Sequence, residues 1–294
     1  ARIGYKNTIR LMTPSMPYFH DASYQTLILG ALTGNACAFI VPGSKFDPEK
    51  ILQTVEKERP AFMANVPTGW KKIVSFPDIK KYDVSSLMAA ATGAGACSAD
   101  LKRKMFEKFP GIIILDMFGQ TEMTPITSFR IDTSPATVKE RSVGHTILDV
   151  RIVDEAGRDV PRGEIGEIMY KSDWIMKGYY KDDEKTAEAM TDGWFKGGDL
   201  GYFDADGEVR LVDRKKECIN TGGEKVFPLE VEDVLHAHPD IQDVCVIGVP
   251  DKTWGNAVRA VVVLKQGEQA TEDEIMSWCR DKMTGFKRPK QVVF

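Results

Sequence analysis

Over the first 118 positions, short apolar runs alternate with amphipathic stretches, and the alternation predicts a series of elements. Residues 22–32 carry a helical pattern, and residues 36–41 read as a short apolar strand closed by Pro42 and Gly43. Asp47 followed by Pro48 predicts a helix with a capping carboxylate and a proline in its first turn. Residues 61–66 read as a strand and Pro67 opens a second helix. Residues 87–92 read as a strand, Ser98 caps a helix running to residue 109, and Gly111 precedes an apolar strand at 112–115. Met105, Phe106 and Phe109 fall at helical spacing and are assigned to the core. This is the βαβ rhythm of an α/β fold built on a mostly parallel sheet with helices.

After about residue 140 the texture changes. Short strands at 150–153, 167–170 and 209–212 are separated by turns at 155–157 and 204–207, which predicts a small β-rich, barrel-like subdomain. Beyond Arg214 comes a glycine turn at 221–223, a helix at 228–237, β-rich runs at 244–249 and 257–264, and a helix at 272–283. That order predicts a small α+β C-terminal domain. The expected division is 1–140 for an α/β part, 141–212 for the β-rich subdomain, 213–216 for a hinge and 217–294 for the C-terminal domain.

Composition narrows the function classes. A chain of 294 residues is long enough for two domains, and 43% hydrophobic with 28% charged residues is ordinary for a globular protein. A net charge of -4, with no basic stripe of interleaved aromatics, gives no reason to expect nucleic acid. The five cysteines are scattered with no CxxC pair, which argues against disulfides and a zinc site and fits a reducing, cytoplasmic setting. No apolar stretch is long enough for an integral membrane segment.

The chemistry concentrates in a few strings. Asp116-Met117-Phe118-Gly119-Gln120-Thr121-Glu122 follows an apolar run, as at a strand end where open α/β sheets place ligands. Phe118 can stack on a base, Gly119 permits close backbone approach, Thr121 can donate to a phosphate and Glu122 can hold magnesium. Gly93-Ala94-Gly95-Ala96 lacks the spacing of a phosphate loop and serves either tight packing or a base-binding slot. In Gly193-Trp194-Phe195-Lys196-Gly197-Gly198-Asp199-Leu200-Gly201, Asp199 is either a turn acid or an acceptor for two ribose hydroxyls. Asp213-Arg214-Lys215-Lys216-Glu217 is either a solvated charge run or a phosphate-reaching arginine beside an interdomain pivot. His20 sits in the aromatic loop Tyr18-Phe19-His20, and is either structural or part of a substrate pocket; His145, His236 and His238 have no metal-ligand partners by spacing.

Taken in order, GAGA, MFGQTE, GWFKGGDLGYFDADG and DRKKECINTGGEKVFPLEVE resemble the adenylate-forming superfamily of acyl-CoA synthetases, peptide-synthetase adenylation domains and luciferases. The strings DRKKECINTGGEKVFP and VIGVPDKTWGNAVRAVVVL are most similar to the acyl-CoA synthetases. The resemblance implies an adenine slot at Gly93, Ala94 and Gly95, an adenine-stacking ring at Phe118 beside Gly119, an α-phosphate contact at Thr121 and a magnesium ligand at Glu122. It implies ribose binding by Asp199, ribose or phosphate binding by Arg214, a hinge at Lys216, and a pantetheine-channel loop at Gly223. His20, Val66, Thr68 and Gly93 would line the acid pocket, with the small Gly93 leaving room for a ring or chain. The threonine that usually precedes Gly-Asp is Gly197 here, a lost hydroxyl expected to weaken nucleotide binding without changing the reaction.

The implied parent is an ATP-dependent carboxylic acid–CoA ligase using ATP/AMP, magnesium and coenzyme A on a fatty, aromatic or alicyclic acid, and compatible with a homodimer. The alternatives are an adenylation domain that loads a carrier protein and a non-catalytic nucleotide-binding fragment. The family's N-terminal phosphate loop and C-terminal catalytic lysine match no segment of the sequence, so an internal piece of a larger enzyme is expected. One transition-state contact is worth roughly 3–4 kcal/mol, about a hundredfold or more in rate. The 294-residue chain by itself is therefore expected to show almost no acid-dependent ATP–pyrophosphate exchange, and robust exchange would refute the expectation.

Overall fold

Asp47 caps the first helix as its sequence suggests. Its Oδ1 accepts from the amides of Glu49 at 3.1 Å and Lys50 at 3.3 Å, and α1 runs Pro48–Glu58. The computed structural model describes residues 10–13, 37–38, 46–123 and 127–294; the helix expected at 22–32 lies outside them, as does most of the strand expected at 36–41. The chain divides into two units, Ala1–Arg151 with Met169–Gly197 and Phe203–Arg210, and Ile152–Ile168 with Gly198–Tyr202 and Leu211–Phe294.

The first unit holds the parallel sheet. β1 (Leu11–Met12), β2 (Cys37–Ala38), β3 (Phe62–Asn65), β4 (Ala89–Thr92) and β5 (Ile113–Phe118) lie in the order β2-β1-β3-β4-β5, every pairing parallel. The helices between them, α1, α2 (Pro67–Val74) and α3 (Ala99–Lys108), bury Ile51, Leu52, Val55, Trp70, Ile73, Met105 and Phe106 against Met63, Ala90 and Ile114. Trp70 fixes α2 to the sheet: its indole N–H donates to the Ala91 carbonyl at 2.9 Å, and its ring meets Phe109 edge-on at 5.9 Å. The mixed α/β class with a mostly parallel first sheet is the one the sequence predicts.

Two antiparallel strands, β6 (Ser128–Asp132) and β7 (Ser142–Thr146), extend the sheet beyond β5. Neither is predicted from the sequence, and β6 shows why. Ser128, Arg130 and Asp132 point inward and are buried, whereas Phe129 and Ile131 are 41% and 48% exposed. A strand read by hydrophobic alternation would be turned over. What holds it this way round is a chain of buried charges.

Lys102, on α3, is 1% exposed; its Nζ lies 2.6 Å from Asp116 Oδ2 and 3.1 Å from Asp132 Oδ2. The other oxygen of Asp132 accepts from Arg130 Nε at 2.9 Å, and Arg130 Nη1 reaches Glu208 Oε1 at 2.5 Å. The Ser142 hydroxyl donates to Glu208 Oε2 at 2.5 Å, and Lys139 Nζ lies 3.3 Å from the same oxygen. Burial acts to lower the Lys102 ammonium, but Asp116 and Asp132 outweigh it and the group is raised. Burial also pushes the Asp116 carboxyl up, against the pull of Lys102. Glu208 is held below the usual carboxylate range: burial opposes ionisation, and the Ser142 hydroxyl and Arg130 overcome it.

Between β7 and the last strands come β8 (Asp149–Val153), β9 (Gly166–Lys171), β10 (Met190–Thr191), β11 (Trp194–Phe203) and β12 (Val209–Arg214). In the second unit β15 (Ile241–Asp251) and β16 (Gly255–Leu264) form a long hairpin, and β17 (Gln291–Val293) pairs parallel to β16. Val244, Val246, Val258, Ala260 and Val262 pack against Val231 and Leu235 of α5 (Pro228–His236) and Ile275 and Cys279 of α6 (Glu272–Cys279). α6 opens with a capping box: Thr271 Oγ1 accepts from the Glu274 amide at 3.3 Å and Glu274 Oε2 from the Thr271 amide at 2.7 Å. It stops before residue 283, where the sequence pattern carries it. The side chain of Arg288 takes the carbonyls there, with Nη2 on Arg280 O at 2.5 Å and Nε on Met283 O at 3.1 Å. β13 (Ile219–Thr221) and β14 (Glu224–Val226) pair through the Gly222–Gly223 turn, both residues with positive φ (59° and 86°).

Replacing Lys102 by Met keeps its bulk but strands two buried carboxylates. The expected cost is about 3–5 kcal/mol in urea denaturation, and a loss under about 1 kcal/mol would show that the charge chain does not hold the sheet.

Candidate functional site

In the first unit the ends of β4 and β5 carry the predicted nucleotide strings. β5 runs on through Asp116 and Met117 to Phe118, further than the apolar run alone indicates, so the polar turn starts at Gly119. Gly93 stands just past β4, and a Cβ built on it would lie 2.6 Å from the Met117 carbonyl oxygen. The missing side chain at 93 permits the close approach of the two strand ends. Ala94 is left-handed, φ 60°, an unfavourable conformation for alanine, and Ala94 and Gly95 are exposed. Buried Cys97, just beyond, has its thiol pushed up to about 12 by burial and by Asp116, so it stays protonated and inert as a nucleophile.

The Phe118 ring is half-buried and tilted 42° to Tyr170 at 6.2 Å. After Gly119, the Gln120 side-chain amide donates to the Gly197 carbonyl at 2.9 Å, and Thr121–Met123 form one 3-10 turn. A Cβ at Gly197 would lie 2.6 Å from the Tyr170 ring and 2.9 Å from Gln120 Nε2. Position 197 is thus packed shut, which the sequence does not reveal.

Glu122 is half-buried, and among the described residues no cation pairs with its carboxylate. Its partner is Tyr179, whose hydroxyl donates to Oε1 at 3.0 Å. Burial, and then the hydrogen bond to Glu122, raise the Tyr179 phenol. Sequence reasoning missed Tyr179; its distance along the chain from Glu122 hides the pairing.

Val66, half-buried, precedes Pro67 at the start of α2, and its amide donates to Asn65 Oδ1 at 2.9 Å. Thr68 is exposed on the first turn of α2. Tyr18, Phe19 and His20 lie outside the described residues.

The second unit carries the other strings. Asp199 lies within β11 (Trp194–Phe203), not in a turn, and is buried. Arg214, the last residue of β12 (Val209–Arg214), is exposed and places Nε 2.9 Å from Asp199 Oδ1. Buried Asp213 accepts from the Arg214 amide at 2.7 Å and from the Leu229 amide at 3.0 Å, tying the end of β12 to the first turn of α5. Lys216 lies in the exposed 3-10 turn Lys215–Glu217. Gly223 is exposed, and a Cβ there would meet nothing within 4 Å, so only its φ of 86° calls for glycine. The structure therefore brings together Gly93 with Met117, Glu122 with Tyr179, and Asp199 with Arg214.

Among the described residues no group of three or more His, Cys, Asp or Glu could hold a metal on its own. A half-buried carboxylate with no cation among the described residues fits a different kind of site, a magnesium ion shared between one protein carboxylate and ligand phosphates.

The family model for AMP-binding enzymes matches residues 4–180, and that for the AMP-binding enzyme C-terminal domain matches residues 230–294. The chain is 36% identical over 280 residues to a feruloyl-CoA synthase of an Amycolatopsis species, covering 95% of this chain and 56% of that protein. It superposes on the anthranilate CoA ligase AuaEII in complex with anthranoyl-AMP with a TM-score of 0.88 at 28% identity, covering 98% of this chain and 56% of the other. It superposes on the O-succinylbenzoate coenzyme A synthetase of Bacillus subtilis in complex with ATP and magnesium with a TM-score of 0.83 at 25% identity, covering 99% and 58%. The chain spans about half the length of the curated relatives it matches.

Gly93→Ala forces a methyl against the Met117 carbonyl. It is expected to cost about 1–3 kcal/mol and to lower the melting temperature; an unchanged melting temperature would show that the strand ends separate freely.

Proposed function

The chain belongs to the family of AMP-binding enzymes, and we propose from that membership that its parent protein is an ATP-dependent carboxylic acid–CoA ligase working through an acyl-adenylate. The observation that carries the reading is the Glu122 carboxylate, half-buried at the end of β5 with a tyrosine donor and no cation among the described residues. Such a group suits a substrate that brings phosphates and a divalent ion with it.

In this reading Thr121 donates to the α-phosphate while the acid's carboxylate attacks it and pyrophosphate leaves. Phe118 and the strand end at Gly93–Gly95 hold the adenine. Asp199 accepts from the ribose hydroxyls, oriented by Arg214, which also reaches the ribose or phosphate. Magnesium, when bound at Glu122, supplies charge neutralisation on the phosphates. Coenzyme A then attacks the mixed anhydride. Lys216 is the proposed pivot and Gly223 the proposed pantetheine contact, within an expected division at 213–216; that stretch lies inside the second compact unit.

The acid is proposed to be a carboxylic acid of the aromatic class first, because the similar proteins named above are named for feruloyl, anthranoyl and succinylbenzoate groups. The expected outcome for the full-length protein is acid-dependent release of AMP with thioester formation on free coenzyme A. Transfer to a carrier protein only would favour the carrier-loading reading. Glu122→Ala is expected to lower the rate roughly a hundredfold, the scale of one electrostatic transition-state contact. Asp199→Ala is expected to raise KM for ATP chiefly. ATP binding without any acid-dependent AMP release across aromatic, fatty and alicyclic acids would overturn the ligase reading.

A further inference from the structure

The Tyr179–Glu122 hydrogen bond is not an isolated contact. Residues 176–186 are anchored on both sides of it. The Met176 amide donates to the Glu122 carbonyl at 2.8 Å, so backbone and side chain of Glu122 are held by one segment. The Tyr179 amide donates to Thr186 Oγ1 at 2.8 Å, and that hydroxyl donates to the Asp182 carbonyl at 2.8 Å. Asp182 in turn caps α4 (Asp183–Ala189), accepting from the Lys185 amide at 3.0 Å. Lys185 Nζ stands 5.2 Å over the Tyr179 ring. Gly178 allows the approach, since a Cβ there would lie 2.9 Å from Thr186 Cγ2.

This is more restraint than a loop needs merely to stay folded. It fixes the Tyr179 ring from its amide and from its face, and leaves the hydroxyl to set one oxygen of a carboxylate that has no cation of its own among the described residues. We propose that Tyr179 is a positioning residue for Glu122, its hydroxyl fixing the carboxylate in the orientation in which it receives a divalent cation carried by the ATP phosphates. The inference rests on the ligase reading only for its assignment of Glu122 as the metal-binding acid. Tyr179 itself touches neither nucleotide nor metal; it acts through Glu122.

The test is metal-dependent nucleotide binding by the full-length protein, followed by manganese paramagnetic resonance and by calorimetry with ATP in the presence and absence of magnesium. Tyr179→Phe keeps the ring and its packing and removes only the hydroxyl. It is expected to weaken binding of manganese–ATP roughly tenfold, as loss of a hydrogen bond to a charged group does, with metal-free ATP binding unchanged and only a small fall in melting temperature from the lost hydrogen bond. Combined with Glu122→Gln it is expected to add nothing further, since both act through one carboxylate. Thr186→Val, which loosens Tyr179 without altering its hydroxyl, is expected to give a smaller loss of the same kind and covers the case of a poorly folded Tyr179→Phe. Unchanged manganese–ATP affinity in Tyr179→Phe, or full additivity with Glu122→Gln, would overturn the proposal. Tyr179-dependent binding of manganese–ATP without acid-dependent AMP release would support the positioning role while overturning the ligase reading.

Discussion

An ammonium ion with almost no access to water holds the first unit in register. Lys102 sits between Asp116 of β5 and Asp132 of β6, and an unpaired charge at any of these positions would be strongly unfavourable. The pairing fixes which face of β6 turns inward, and through Arg130 and Glu208 it extends to Ser142 of β7. It also fixes the strand that ends in Phe118, because Asp116 lies two residues before that ring. The site-bearing end of β5 is thus anchored by electrostatics from the helix side as well as by the parallel ladder with β4.

Much of the fold was legible because local signals agreed with tertiary packing. Asp47, Pro48 and Ser98 mark helix starts that packing then uses. β6 was not legible, because its buried face is Ser, Arg and Asp while its exposed face carries Phe129 and Ile131. One signal did point to it. Lys102 occupies the same helical stripe as Met105, Phe106 and Phe109, and a lysine on a core stripe demands buried carboxylates. The strand through Asp199 was not legible either, since its glycines give no side-chain pattern to read; the string offered only a turn acid or a ribose acceptor. Just past the end of α6, Arg288 takes the Arg280 and Met283 carbonyls, a contact no local pattern announces. Glu122 was identified from its string, but its tyrosine partner sits in a segment with no motif of its own.

The two acids singled out by sequence meet different environments. Asp199 is buried and already neutralised by Arg214, so it can offer hydrogen-bond acceptance without attracting a free cation strongly. Glu122 has a neutral donor instead, and among the described residues no ion-pair partner. A hydroxyl orients a carboxylate while leaving its charge uncompensated, which an arginine would not do. The difference matches the two tasks proposed for them, holding a sugar and holding a metal.

Gly197 carries a consequence for any substitution at its position. The space beside it is occupied by the Tyr170 ring and the Gln120 amide, which also bonds the Gly197 carbonyl. A threonine there would meet occupied volume before its hydroxyl could bond anything, so a larger residue needs Gln120 or Tyr170 to move first.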